Sequence, residues 1–497
     1  MSVYSSRPWL KSYDYWVRPH MTYPGKPLYE ILASTTVDFP DHTATVFMGG
    51  ELTFTELKRR VDRLATSFAR AGIVKGDRVG IMLPNSPQYI ITAFAVLRLG
   101  GIIVNLNPIY TAREVVTVAR DSGIRLLVTV DSLAPLAQNV RGDMGIEQII
   151  VTSLSEYSSA AGAPPRIDGT LALTDLIDAV SEPDLPRVVM DRDDVAVLQY
   201  TGGTTGTPKG AMLTHGSIFA NVIQSEAWGW RPPDRGNARY IVVLPYFHIY
   251  AFTVCMMSGI WHAGLQVILP KYDPDQVLAA IKQHRPTYFP AVPTIFVSLL
   301  SHPKFKESSL DHVRIFNTGG APCPVEVIAE MELRTGRPLN EGYGLSETSP
   351  TTHSTPHLAK RRPGTVGLPF PDTDMKIVDV ETGEKEMPVN ETGELCISGP
   401  QVMKGYWQKP EESARVLRKD GNGRVWFHTG DIAKMDDDGY TTIVQRKKDL
   451  IIVDGYNVYP SDVEGVRYSH PAVRLAAAIG VPDTYHGEVV RACIVLR

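Results

Sequence analysis

The chain has 497 residues, with 50 Lys and Arg against 54 Asp and Glu; the net charge of −4 argues against a dedicated nucleic-acid or polyanion binder. At 43% hydrophobic and 21% charged, the composition is that of a folded protein rather than a disordered one, with length for roughly two to four domains. Cys255, Cys323, Cys396 and Cys493 are too far apart in sequence for a zinc ribbon or redox pair, so four idle thiols in a reducing compartment are expected.

Near the N-terminus, Lys11, Asp14 and Arg18 break any apolar leader, so no secretory signal is expected and the location reads as cytoplasmic. From Thr53 the pattern alternates. Thr53 and Glu56 have capping-box spacing, Leu57, Val61, Leu64 and Phe68 follow at helical intervals, and Gly72 offers a stop. Val79–Leu83 reads as a buried strand, Tyr89–Leu99 as a helix and Ile102–Leu106 as the next strand. Thr111 and Glu114 open another helix that Gly123 closes, before a strand over Leu126–Val130. Strands alternating with helices predict a parallel sheet covered on both faces.

Residues 152–170, rich in Ser, Ala, Gly and Pro, read as a connector, and a second alternating region runs from Asp194 to about Pro369. Within it, Tyr240–Pro270 lacks Asp, Glu, Lys and Arg and is long enough to be weighed as a membrane span. Pro245, His248, Gly259, His262, Gly264 and Gln266 interrupt it, so it reads as strand, loop, buried helix and strand. From Asp374 to Ile443, short strands with Gly and Asp turns suggest a small β subdomain, and Val489–Leu496 is strand-like. The expected fold is α/β: a large domain over 1–445, divided into α/β subdomains 1–190 and 191–370 and a β subdomain 371–445. A hinge at 446–448 and an incomplete α+β domain over 449–497 follow.

The segment richest in chemistry is Tyr200-Thr201-Gly202-Gly203-Thr204-Thr205-Gly206-Thr207-Pro208-Lys209-Gly210, placed just after an apolar run. Its glycines let backbone N–H groups approach phosphate oxygens, its threonines add hydroxyls and Lys209 adds a positive charge, which together suit a polyphosphate. It is not the Walker pattern, which needs Gly-Lys-Ser/Thr. The segment resembles the phosphate-binding signature of the adenylate-forming superfamily, which includes acyl-CoA synthetases, luciferases and peptide-synthetase adenylation domains.

Further motifs of that superfamily follow in order. In Glu341-Gly342-Tyr343-Gly344-Leu345-Ser346-Glu347-Thr348, Tyr343 could stack on a purine and Glu347 could supply the oxygen ligand Mg²⁺ prefers. The resemblance assigns those roles, adds Thr201 to the metal site and puts Ser346 near the α-phosphate. Thr318-Gly319-Gly320-Ala321-Pro322 resembles the adenine-binding turn, and Phe427-His428-Thr429-Gly430-Asp431 the ribose-binding stretch, with Asp431 on the diol and His428 structural. Leu244–Phe252 resembles the substrate gate, with His248 beside the carboxylate and Phe252 at the position of an aromatic gate. Gln445-Arg446-Lys447-Lys448-Asp449 resembles the interdomain linker, with Arg446 on the ribose and Lys448 as hinge; Gln445 stands where the family usually has Gly. Gly455 is expected to face the pantetheine channel.

The resemblance implies ATP and Mg²⁺ as cofactors and CoA as co-substrate. The reaction it implies is acid activation to acyl-AMP followed by transfer to CoA, with Lys209, His248 and Glu347 as the catalytic candidates. The charge-free Tyr240–Pro270 segment predicts a deep apolar pocket for a medium- or long-chain fatty acid; an aryl acid of the coumarate type is the rival. The same resemblance places a lysine beyond Arg497, so a C-terminally truncated chain, impaired or reduced to a non-catalytic acyl or adenylate binder, is the third expectation. No nucleic-acid partner is expected; a homodimer and peripheral contact with the inner face of a membrane stay open.

Overall fold

The computed structural model describes residues 3–201, 208–229, 235–453, 456–460, 463–464, 470, 472–483 and 487–496. Among them, buried strands alternating with helices build two large sheets. The first has the spatial order Leu171–Ala172, Gln148–Thr152, Leu126–Val130, Arg78–Met82, Ile102–Asn105, Val195–Thr201, Lys209–Thr214. It is parallel except for the last strand, which turns back antiparallel. Its helices start where the sequence offers caps. Phe54–Arg70 opens on the capping box of Thr53 and Glu56, and Ala112–Ser122 on that of Thr111 and Glu114 before closing at Gly123, φ 64°. The helix Pro87–Arg98 is buried almost all round, which is why its sequence carries no polar stripe.

The second sheet runs in space from Leu368–Pro369 through Thr351–Ser354, Leu339–Gly344, Ile315–Thr318, Tyr288–Ala291, Arg239–Val242 and Leu265–Ile268 to Thr43–Phe47 and Gly50–Thr53. Its centre is parallel and both margins are antiparallel. Sheet membership therefore does not follow the expected division at residue 190. The strands Val195–Thr201 and Lys209–Thr214 complete the first sheet, while Thr43–Phe47 joins the second. Alternation says that a strand enters a parallel sheet but not which one, because the crossover can lead to either.

The Tyr240–Pro270 segment forms the strand Arg239–Val242, a buried helix and the strand Leu265–Ile268, as expected. The helix begins as π-helix over Ala251–Met257 and continues as α-helix over Ser258–Trp261, a feature the sequence did not announce. No described helix is long and apolar enough to cross a membrane.

A third sheet orders Asp374–Val378, Gly393–Ser398, Val425–Met435 and Leu417–Lys419, with Thr441–Arg446 also paired to Val425–Met435. Tyr4, Trp9 and Val17 from the N-terminal residues share its core with Met375, Ile377, Leu395 and Ile397. At the other end of the chain, Gly487–Leu496 pairs along its length with Val473–Asp483, and Ile451–Val453 pairs with it through Val453 and Gly487.

Candidate active site

The parallel strands of the second sheet end on a cavity of about 780 Å³, whose remaining walls come from the first sheet, the third sheet and the helices around residues 225–229 and 250–262. Thr201, Lys209, His248, Gly320, Gly342, Tyr343, Gly344, Ser346, Glu347, Arg446 and Lys448 all line it. Five segments far apart in sequence thus meet at one place, the arrangement expected at the C-terminal ends of strands in open α/β sheets. Gly202, Gly203, Thr204, Thr205, Gly206, Thr207 and Gly455 lie outside the described residues.

On one wall, Lys209 begins the strand Lys209–Thr214 and its Nζ pairs with Glu412 Oε2 at 2.6 Å. The ammonium holds the Glu412 carboxyl below its ordinary range. It also sits 5.4 Å from the ring centroid of Tyr406, whose hydroxyl donates to Glu347 Oε1 at 2.9 Å. Burial, reinforced by the Glu347 charge, pushes the Tyr406 phenol above its ordinary value, so it stays a donor. Among the described residues no cluster of three His, Cys, Asp or Glu side chains could hold a metal. A magnesium ion that draws most ligands from phosphates and water needs only one or two protein oxygens, and the cavity wall carries Glu347 and Thr201, which would fit such an ion.

Elsewhere at the cavity, the Tyr343 hydroxyl donates to Asp431 Oδ2 at 2.5 Å, and Arg446 Nε pairs with Asp431 Oδ1 at 2.9 Å. Burial raises the Asp431 carboxyl and Arg446 opposes it. Asp431 thus stands one step behind the wall, each oxygen already holding one protein partner. Gln445 lies in the extended strand Thr441–Arg446, a conformation open to any residue, so the departure from Gly carries no backbone cost there.

Beside this pair, Glu394 is 4% exposed and takes Lys447 Nζ at 2.8 Å and the Gly430 N–H at 3.2 Å. Burial opposes its ionisation, but the neighbouring His428, its Nδ1 3.7 Å away, and the Lys447 hydrogen bond win and hold it down to about 2. A depressed carboxyl contributes stability above its unfolded value of 4.5 and loses it as pH falls through about 2. Glu394→Gln is expected to cost about 3 kcal/mol at neutral pH, with the gap to wild type closing between pH 4.5 and 2. Denaturation midpoints of both proteins across that range check it. His428, packed against Cys396 Sγ at 3.3 Å, has the structural place expected of it.

His248 opens onto the cavity while surrounded by protein, and burial pushes its imidazole below its ordinary value. The Tyr250 N–H donates to its Nδ1 at 3.2 Å, so in the neutral ring Nε2 carries the proton.

Besides Asp431, four expected residues are not on the cavity wall. Phe252 is fully buried in the core: Tyr250, Val254 and Ser258 of its helix line the cavity, and a position two residues off points to the opposite side. Glu341 faces away, where its Oε1 accepts from the Cys323 N–H at 3.1 Å. Ala321 and Pro322 are exposed beyond the turn, whose cavity-facing residues are Thr318, Gly319 and Gly320, the last at φ 80°. Gly344 serves packing as well as access, since a Cβ there would lie 2.1 Å from the Pro350 carbonyl oxygen.

The expectation of an apolar pocket holds in part: apolar surface predominates in the lining, and polar groups interrupt it. Deep in the cavity, Tyr240, Tyr288, Ser258 and His262 are polar without being charged, and Glu226 comes from the preceding helix His215–Trp228. Counting charges along Tyr240–Pro270 sees none of these. Tyr406, Glu412, Glu394 and Lys447 were missed as well; the glycine-aromatic pair Gly405-Tyr406 was the only signal for the first two.

The AMP-binding enzyme family model matches residues 32–407. A long-chain-fatty-acid–CoA ligase of Bacillus subtilis is 40% identical over 509 residues, covering 99% of this chain and 90% of that protein. A feruloyl-CoA synthase of Amycolatopsis is 36% identical over 459 residues, covering 92% and 86%. The solved structure of ATP-bound MatB from Rhodopseudomonas palustris superposes with TM-score 0.84 at 31% identity, covering 95% of this chain and 89% of that one. A family match across most of the chain, together with a cavity whose walls are that family's motifs, makes this protein a member of the AMP-binding enzyme family.

Proposed function

We propose that the protein converts a medium- or long-chain fatty acid to its acyl-CoA in two steps. A carboxylate oxygen attacks the α-phosphorus of ATP, forming the mixed anhydride acyl-AMP and releasing pyrophosphate. The thiol of CoA then attacks the acyl carbon, the C–O bond to AMP breaks, and the thiol proton leaves to solvent. The observation that carries this reading is the single cavity: nucleotide-motif residues form one end, and a passage beneath the second sheet extends from it.

In this reading Lys209 and the segment 202–207 hold the polyphosphate and oppose the charge that develops on the pyrophosphate leaving group. Tyr343 packs against the base beside the Gly319-Gly320 turn, and Asp431 with Arg446 holds the ribose. Glu347 with Thr201 receives Mg²⁺, which when bound neutralises phosphate charge. His248, protonated on Nε2, donates to the substrate carboxylate and fixes its approach. Lys448 is the pivot about which 449–497 reorients for the thiol step, bringing Gly455 to the CoA channel.

Pyrophosphate release that requires acid, ATP and Mg²⁺, followed by AMP release on addition of CoA, is the expected result. AMP formation without a thioester product would sink the second step. An aryl acid is the second reading, favoured by the Tyr240 and Tyr288 rings, stacked with centroids 4.6 Å apart in the cavity wall.

A further inference from the structure

The wall that carries Lys209 and Glu347 is tied together by residues 403–407. They run as an extra antiparallel strip along Lys209–Thr214: the Lys404 N–H donates to the Met212 carbonyl at 2.9 Å, the Met212 N–H to that of Gly405 at 2.8 Å and the Trp407 N–H to that of Gly210 at 2.8 Å. At its start the same strip reaches Glu347, whose carbonyl accepts from the Met403 N–H at 2.7 Å. The Tyr406 N–H turns the other way and donates to Ser413 Oγ at 2.8 Å, in the helix Pro410–Val416. Gly405 makes that approach possible, at φ 145° and with room for a Cβ only 3.0 Å from the same Ser413 oxygen.

From this anchored backbone the Tyr406 side chain lies between the two charged groups. Its hydroxyl donates to Glu347 Oε1 at 2.9 Å, and its ring centroid is 5.4 Å from Lys209 Nζ. Among the described residues no other hydrogen bond reaches the Glu347 carboxylate. That single donor fixes the carboxylate plane and leaves Oε2 as the oxygen free for a ligand. Without it the last torsions of the side chain turn freely, and a metal would have to order the ligand as it binds.

We infer that Tyr406 is a positioning residue: its hydroxyl aims the Glu347 carboxylate at the metal and its ring seats the Lys209 ammonium, so that metal and polyphosphate are received in register. The inference rests on the acid-activating reading of the cavity, in which Glu347 receives Mg²⁺ and Lys209 the polyphosphate. It adds a residue that acts through both.

The test measures ATP binding by calorimetry with no acid present, so that no turnover occurs, once with EDTA and once with saturating Mg²⁺. The ratio of the two dissociation constants is the gain due to the metal. Tyr406→Phe keeps the ring and deletes only the hydroxyl; its gain is expected to fall roughly 10-fold, the scale for losing the partner of a metal ligand, while its metal-free affinity stays at the wild-type value. Tyr406→Leu deletes the ring as well, so its metal-free affinity should also weaken, by roughly 2–5-fold. In Glu347→Gln the gain is already lost, and adding Tyr406→Phe should change little more. An unchanged gain in Tyr406→Phe would overturn the inference and leave the acid-activating reading intact. A full loss on adding Tyr406→Phe to Glu347→Gln would also overturn it, because the hydroxyl would then act elsewhere than through Glu347. A wild-type affinity indifferent to Mg²⁺ would overturn it together with the metal role of Glu347. The expected ratios in a protein that releases no pyrophosphate when acids are added would keep the inference and remove the activity reading instead.

Discussion

Lys209→Ala and Glu347→Ala are each expected to slow acyl-adenylate formation by roughly 10²–10³-fold, the scale of one preorganised electrostatic contact in a water-poor site. The reasons differ. Removing the Lys209 ammonium deletes a proposed phosphate partner and leaves the Glu412 carboxylate, paired at 2.7 Å with Arg415 but one cation poorer, beside the place where the polyphosphate would lie. Lys209→Ala with Glu412→Gln should therefore recover part of the loss, which a purely additive pair would not. Glu347→Ala removes the proposed oxygen ligand and the acceptor of the Tyr406 hydroxyl, so raising Mg²⁺ should restore rate only weakly. Pyrophosphate release under saturating ATP measures all three variants. A single variant within a factor of two of wild type would remove its residue from the mechanism.

The second large effect is one of stability. Phe252 is fully buried on the side of its helix facing away from the cavity, in the main hydrophobic core. Phe252→Ala should cost about 3–5 kcal/mol through lost burial and the void left behind. Its preference among acids of different length should stay as in the wild type. A thermal melt and a chain-length series distinguish this from a gate, for which the melt would barely move and the length preference would shift.

The residues proposed for the nucleotide end of the cavity were legible in the sequence because they fall in short contiguous motifs. Lys209, Tyr343, Glu347 and Arg446 could be placed by reading a few neighbours, and they do meet. Local helix structure was legible for the same reason: Thr111, Glu114 and Gly123 act within one helix. What was not legible depends on contacts distant in the chain. Asp431 faces Tyr343 only because the third sheet docks on the second, and Glu412 reaches Lys209 across 203 residues. Phe252 was misplaced because two positions along a helix reverse the direction of a side chain, and the motif specifies order but not direction. The far wall was misread because hydropathy counts charge, whereas its polarity comes from Tyr, Ser, His and a Glu on another helix.

The ion pairs of Arg446 with Asp431 and of Lys447 with Glu394 have a bearing on how this protein can be recombined with its relatives. Although both cations lie at the entrance to the C-terminal segment, each is matched to a buried carboxylate of the third sheet. A chimera spliced upstream of Arg446 would import a foreign pair of side chains opposite Asp431 and Glu394. Where those do not match, two buried carboxylates lose their counter-charges at once, a fault of several kcal/mol unrelated to the quality of the donated segment. A junction placed after Lys447 keeps both pairs native, and it falls within the short 3₁₀ turn Lys447–Asp449, where the chain leaves the sheet. For exchanging acceptor specificity among family members, the cut belongs on the C-terminal side of these two cations.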